Sequence, residues 1–211
     1  MNAINYQNEL DKIIKDIETQ KVNEDENKNK KLPTLLLHSC CAPCSSYVLE
    51  YLSKYFKITV LFYNPNITPE EEYEKRRLEL KRLISEIEVE NEILVMESFY
   101  NPKDFFDISK GLETAKEGGE RCFKCFELRL RETAKLAAKG GFDYFTTTLT
   151  ISPLKNAKKI NEIGEKLELE YSVKHLPSDF KKREGYKRSI ILSQKHNLYR
   201  QNYCGCVFSK P

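Results

Sequence analysis

Short apolar runs that alternate with segments of helical periodicity predict an α/β fold, a mostly parallel sheet flanked by helices. Three observations carry this. The runs are only a few residues long and rich in Val, Ile, Leu, Phe and Thr, the composition of buried strands. Each strand-like run except the last is followed, before the next, by a stretch whose apolar residues recur at helical spacing. Consecutive parallel strands need such a crossover, so the alternation favours parallel over antiparallel pairing.

Residues 1–31 stand apart from this pattern. Ile4, Leu10, Ile13, Ile14 and Ile17 recur at helical spacing and predict an amphipathic helix packed on the body. Residues 22–31, rich in Asn, Lys and Glu, predict a polar linker. From residue 32 to residue 211 we expect a single α/β catalytic domain. Its first strand is Thr34–His38, which ends abruptly at Cys-Cys-Ala-Pro-Cys, and residues 45–55 follow as a helix. A second strand at 58–63 ends at Asn-Pro-Asn. The helix after it, 69–87, opens with Pro-Glu-Glu-Glu, so its acidic first turn meets the positive end of the helix dipole. Residues 92–96 predict a third strand. A helix at 122–140 stops at Gly-Gly, and a strand at 142–149 follows. A helix at 156–167, a short strand at 171–175 and a helix at 184–195 complete the pattern.

Ligands of open parallel sheets gather at the carboxyl ends of the strands. Cys40, Cys41 and Cys44 follow the first strand, Asn64 and Asn66 the second, and residues 146–152 the strand at 142–149. These loops are expected on one rim.

The chain has 211 residues and seven cysteines. No apolar stretch reaches the length of a signal peptide or a membrane span, which predicts a cytoplasmic protein with no membrane partner. In that reducing compartment disulfides seldom persist, and an odd number of thiols cannot all pair within the chain. The cysteines fall into three groups, Cys40/Cys41/Cys44, Cys122/Cys125 and Cys204/Cys206. Tight pairs of this kind converge thiolates on an ion or cluster, whereas small core cysteines stand singly. All seven are therefore candidate ligands of a metal or cofactor. Spacing alone leaves zinc, an iron-sulfur cluster and a redox pair open. Seven thiols overfill one zinc site or one cubane, and the surplus argues for function.

A net charge of +3 is too small to diagnose a nucleic-acid binder. Lys181, Lys182 and Lys187 nevertheless crowd one stretch with Phe180 and Tyr186, which suits either a solvated helix face or an RNA contact.

The motifs His38-Ser39-Cys40-Cys41-Ala42-Pro43-Cys44, Tyr63-Asn64-Pro65-Asn66-Ile67, Glu117-Gly118-Gly119-Glu120-Arg121-Cys122-Phe123-Lys124-Cys125, Thr147-Thr148-Leu149-Thr150-Ile151-Ser152-Pro153 and Tyr199-Arg200-Gln201-Asn202-Tyr203-Cys204-Gly205-Cys206 occur in that order. The chain thereby resembles the QueH-type epoxyqueuosine reductase family. The resemblance implies a fold similar to the adenine-nucleotide alpha-hydrolase, or PP-loop/HUP-like, group. It also implies two-electron reduction of epoxyqueuosine to queuosine at the wobble position of tRNA. A 4Fe-4S cluster and a second mononuclear metal ion, expected to be iron, are implied as cofactors, with an external electron donor as partner. It does not say which four cysteines hold the cluster.

Beside the cysteines, His38 and Asp107 are candidate catalytic residues, His38 for proton transfer and Asp107 as an acid or ligand. Asn64, Asn66, Arg121, Arg200 and the three lysines are candidate substrate contacts. Two rival readings are a zinc-stabilised RNA-binding module and a PP-loop ATPase acting on RNA. The latter wants a Gly-rich phosphate loop, and Cys-Cys-Ala-Pro-Cys contains no glycine.

Overall fold

The computed structural model of the chain describes residues 4–23 and 32–210. Strands β1 (Thr34–His38), β2 (Lys57–Leu61), β3 (Leu94–Met96), β4 (Tyr144–Thr147) and β5 (Lys174–His175) form one sheet in the order β3-β2-β1-β4-β5. Every neighbouring pair is parallel. The helices are α1 (Tyr6–Asn23), α2 (Ala42–Leu52), α3 (Glu70–Glu86), α4 (Pro102–Ser109), α5 (Glu120–Gly140), α6 (Ala157–Tyr171) and α7 (Gly185–Lys195).

Alternation along the central strand separates two cores. Leu35 and Leu37 of β1 join Leu10, Ile14 and Ile17 of α1, Val48, Leu49 and Leu52 of α2, and Leu80 and Leu83 of α3. Leu36, pointing the other way, joins Phe126, Leu130 and Ala134 of α5 and Ile160, Ile163 and Leu167 of α6. A strand covered on both faces has no place for charge, which is why β1 reads Thr-Leu-Leu-Leu-His. Helix α1 packs on the body as its periodicity predicts, and Asp11 receives Arg183 in an ion pair. The connector expected at residues 22–31 begins later, since α1 runs to Asn23, and residues 24–31 lie outside those described.

Three local differences from the sequence reading bear on the site. Helix α2 starts at Ala42, with Pro43 in its first turn, where a missing N–H costs nothing. The strand expected to run to residue 149 stops at Thr147 and becomes a 3-10 turn, Thr148–Ile151. Helix α4 was not anticipated. Among the described residues no helix is long and apolar enough to cross a membrane.

From β1 the chain moves outward through β2 to β3, then returns across β1 to β4 and β5. Loops after β1 and β4 therefore diverge to opposite faces, leaving a crevice at their carboxyl ends.

Candidate metal centre

The first cysteine group is fastened into that crevice by main-chain bonds. Ser39 N–H donates to Leu61 O at 2.9 Å, Asn64 Nδ2 donates to Ser39 O at 2.8 Å, and Cys40 N–H donates to Thr148 Oγ1 at 3.2 Å. Cys41 caps α2 and Cys44 lies in its first turn, so the helix's positive end faces the thiols. The sulfurs of Cys40, Cys41 and Cys44 all lie within 4.8 Å of one another. Hydrogen bonds from Cys41 and Cys44 hold the Cys40 thiol well below its usual range. In return that thiolate pushes Cys41 up to about 12 and raises Cys44. Cys40 is thus the thiol of the group that loses its proton most readily, and binding a cation would draw protons from the other two.

Cys122 and Cys125 sit one turn apart at the start of α5 and share a face. Gly118 N–H donates to Cys122 Sγ at 3.2 Å, and burial pushes Cys125 up to about 11. The third group straddles Gly205, whose φ of +96° favours glycine. A Cβ there would also stand 2.9 Å from Arg76 Nη1. Thr68 N–H donates to Gly205 O at 3.0 Å, and Arg76 Nη1 donates to Cys204 O at 3.1 Å. Cys206 hydrogen-bonds Cys204 and lowers its thiol, while the same hydrogen bond and burial raise Cys206.

All seven cysteines line one cavity of about 260 Å³. None is in a disulfide. The strand end, the helix start and the segment after α7 bring together what the spacing treats as separate pairs. Seven cysteines at one cavity, three of them with mutually close sulfurs, form a soft, deprotonatable donor set that fits thiolate-bound metal.

Five cations line the same cavity: Arg76, Arg121, Arg129, Lys155 and Arg200. Arg76, Arg121 and Arg129 are buried, with 2%, 2% and 4% of their surface exposed. Arg76 meets Glu72 at 2.7 Å. Arg121 Nη1 instead donates to the carbonyls of Leu112, Glu113 and Ala115 at 2.7–2.9 Å. Arg129 Nε donates to Cys125 O at 3.1 Å and its Nη1 reaches Asn64 Oδ1 at 3.5 Å. Among the described residues neither has a carboxylate partner. Buried cations without a counter-charge are costly, so their natural partner is the thiolate set they surround. Lys155 follows the same logic: burial pulls its pKa down, but the neighbouring cysteines Cys40, Cys44 and Cys204 outweigh it and the net shift is upward.

The other sequence candidates are dispersed. His38 is fully buried beneath the first group and is not part of the cavity lining. Its Nε2 donates to Tyr63 O at 3.1 Å, so its Nδ1 accepts from the Thr147 hydroxyl at 2.8 Å. Burial and the Arg129 charge lower its pKa to about 3 and keep it neutral. Asp107 lies outside the cavity lining, in ion pairs with Lys103 and Lys110. Asn64 and Asn66 are buried behind the wall, Asn64 bridging Ser39 and Arg129. Arg121 lines the cavity and secures the loop before α5, and Arg200 is exposed at the mouth. Lys181 and Lys182 pair with Asp179, and Lys187 with Glu184, all away from the lining. Sequence reasoning missed Arg76, Arg129 and Lys155, and placed Tyr186 with the basic stretch but not at the cavity. The available signals were Arg129 one turn beyond Cys125 and Arg76 one turn beyond Glu72.

Comparison with known proteins gives the family. The family model described as Epoxyqueuosine reductase QueH matches residues 35–211. Epoxyqueuosine reductase QueH of Streptococcus pyogenes serotype M1 is 43% identical over 201 residues, covering 90% of this chain and 79% of its own length. The protein of that name from Staphylococcus epidermidis is 42% identical over 214 residues, with 95% and 90% covered. That from Thermotoga maritima is 37% identical over 182 residues, with 83% and 90% covered. With its cysteine motifs inside a match that runs through nearly the whole sheet, this chain belongs to the epoxyqueuosine reductase QueH family, a family of oxidoreductases.

Proposed function

We propose that this chain reduces epoxyqueuosine in tRNA to queuosine, using a metal centre held by Cys40, Cys41, Cys44, Cys122, Cys125, Cys204 and Cys206. The observation that carries this reading is that all seven cysteines, from three remote segments, line one cavity. Seven donors exceed the needs of one cubane, which leaves room for a 4Fe-4S cluster and a second mononuclear ion, iron by the softness of its donors. When bound, these groups supply electrons singly and a Lewis acid for the epoxide oxygen. Overall, the epoxide takes two electrons and two protons and gives an alkene and water. The electrons come from an external donor. A reducing compartment, the cytoplasm, suits seven free thiols.

The chain's own residues prepare the cavity for that chemistry. Buried Arg121 and Arg129 and half-buried Lys155 supply positive charge that offsets the thiolates. Phe105, Phe126 and Ile151 wall the cavity with apolar surface and limit access of water. His38 is a positioning residue: it ties the ends of β1 and β4 to the main chain after β2 and so fixes the turn that carries Cys40.

Anaerobically purified, reduced protein incubated with epoxyqueuosine-containing tRNA should yield queuosine on nucleoside analysis, with iron and sulfide in the protein. Unchanged epoxide despite a full complement of iron and sulfide rejects the assignment. Zinc in place of iron favours the RNA-binding module.

A further inference from the structure

The mouth of the cavity is chemically unlike its interior. Leu154, at the tip of the loop after the Thr148–Ile151 turn, lines the cavity yet is 84% exposed, and Pro153 beside it is exposed as well. Across the mouth, Tyr186 and Ser189 of α7 lie one turn apart, and both line the cavity. Tyr186 is 37% exposed. One further turn along, Ser193 Oγ accepts from Arg200 Nη1 at 3.1 Å. This face of α7 therefore runs from an aromatic ring to an exposed guanidinium. Among the described residues Arg200 has no carboxylate partner, whereas its basic neighbours do: Arg183 meets Asp11 and Arg188 meets Glu50.

We propose that Pro153, Leu154, Tyr186 and Arg200 form the surface on which the unpaired anticodon loop lies while its wobble nucleoside occupies the cavity. This deepens, and rests on, the tRNA reductase reading. Loop bases that flank an inserted nucleoside are unstacked and need flat or apolar surface, which Tyr186, Leu154 and Pro153 offer. The phosphate between them needs a cation without a competing carboxylate, and Arg200 is one. Duplex RNA presents no free base faces and fits this rim poorly. An acidic redox protein would want several cations without carboxylate partners, and of the four residues proposed for this rim only Arg200 is a cation.

The surface predicts which residues the RNA feels. Binding of a fluorescein-labelled anticodon stem-loop, with guanosine at the wobble position, is measured by anisotropy on the metal-loaded protein. Tyr186→Ala and Leu154→Asp should each weaken binding about ten-fold, and Tyr186→Phe should restore it. Arg200→Gln should reduce the slope of log affinity against log salt by about 0.7. Lys139→Gln, at the far end of α5, serves as control, and Lys181→Gln/Lys182→Gln/Lys187→Gln tests the alternative surface. Because Leu154 is so exposed, its substitution leaves the fold intact. Equal affinity in wild type and rim variants, with reduction of modified tRNA retained, overturns the surface and leaves the reductase reading standing. So does a larger loss in the triple lysine variant, or rim variants that slow electron delivery without weakening RNA binding. Wild-type protein with no affinity for the loop and no reduction overturns both.

Discussion

Arginines on the solvent face of α3 and arginines in the cavity solve opposite problems. On α3, Arg77 meets Glu74 and Arg82 meets both Glu79 and Glu86, each at 2.8 Å. In the cavity, Arg121 and Arg129 meet carbonyls, and Arg129 an amide, with no carboxylate among the described residues. The surface charges are neutralised within one helix, in water that would have solvated them anyway. The cavity charges are buried and left open towards sulfur. What the difference teaches is that the missing carboxylates are informative: Arg76 keeps Glu72, but Arg121 and Arg129, whatever loop carbonyls they also secure, retain a charge that only the thiol set can answer.

The sharpest way to break this contrast is to remove a cavity cation and measure both states of the protein. Arg129→Met should cost about 3–5 kcal/mol in the metal-loaded protein, as when one partner of a buried pair is deleted. In the metal-free protein the change should stay within about 1 kcal/mol, because an uncompensated charge is lost together with its hydrogen bonds. Urea unfolding under anaerobic conditions, with and without metal, reads both. An equal loss in the two states would make Arg129 an ordinary structural residue.

A second test concerns buried groups that shed their charge instead of keeping it. His38 and His175 are both lowered to about 3, mainly by burial. Unfolded, each titrates near its ordinary value of 6.5. The unfolded chain therefore binds more protons between those limits, so the contribution of each to stability is complete above pH ~6.5 and is lost as pH falls towards 3. The slope approaches about 1.4 kcal/mol per pH unit for each histidine. His175→Gln should remove its share from the slope while leaving that of His38. Denaturation midpoints from pH 7 to 4.5 that do not change on substitution would show that His175 is not held neutral.

Smallest of all should be the surface member of the comparison. Arg82→Met removes two ion pairs, yet exposed pairs of this kind contribute less than about 1 kcal/mol, and added salt should shrink that further. A salt-insensitive loss of several kcal/mol would erase the distinction between the two regions.

Most of the fold was legible because it is written in local periodicity. The Leu-Leu-Leu run of β1, the acidic start of α3 and the Gly-Gly stop of α5 are signals carried by neighbours in sequence. Helix α4 escaped because eight residues with Phe105 as their one buried large side chain leave too short a pattern. The end of β4 was misjudged because apolar Leu149 and Ile151 are equally at home in a strand or in the tight turn they form, and the choice is made by Thr147 accepting from Leu149 N–H. In the site, the cysteines announced themselves through spacing. The buried arginines did not, because on α3 and α5 Arg76 and Arg129 look like any charge on an amphipathic helix. Their burial depends on Glu72 and Cys204 for one, and on Asn64 and Cys125 for the other, meetings no linear pattern records. The basic stretch at 181–188 had the opposite fate: conspicuous as composition, it is largely engaged with Asp179, Asp11, Glu184 and Glu50.

Gly205 and its two flanking cysteines belong to a segment whose only regular structure is the short turn Val207–Ser209. Arg76 and Thr68 secure it by two hydrogen bonds, and thiol-bound metal would rivet it to β1 and α5. Loss of the metal would therefore unfasten a strap and open its peptide bonds to cellular proteases. Scarcity of that metal would then shorten the lifetime of the polypeptide, so that only metal-loaded molecules accumulate.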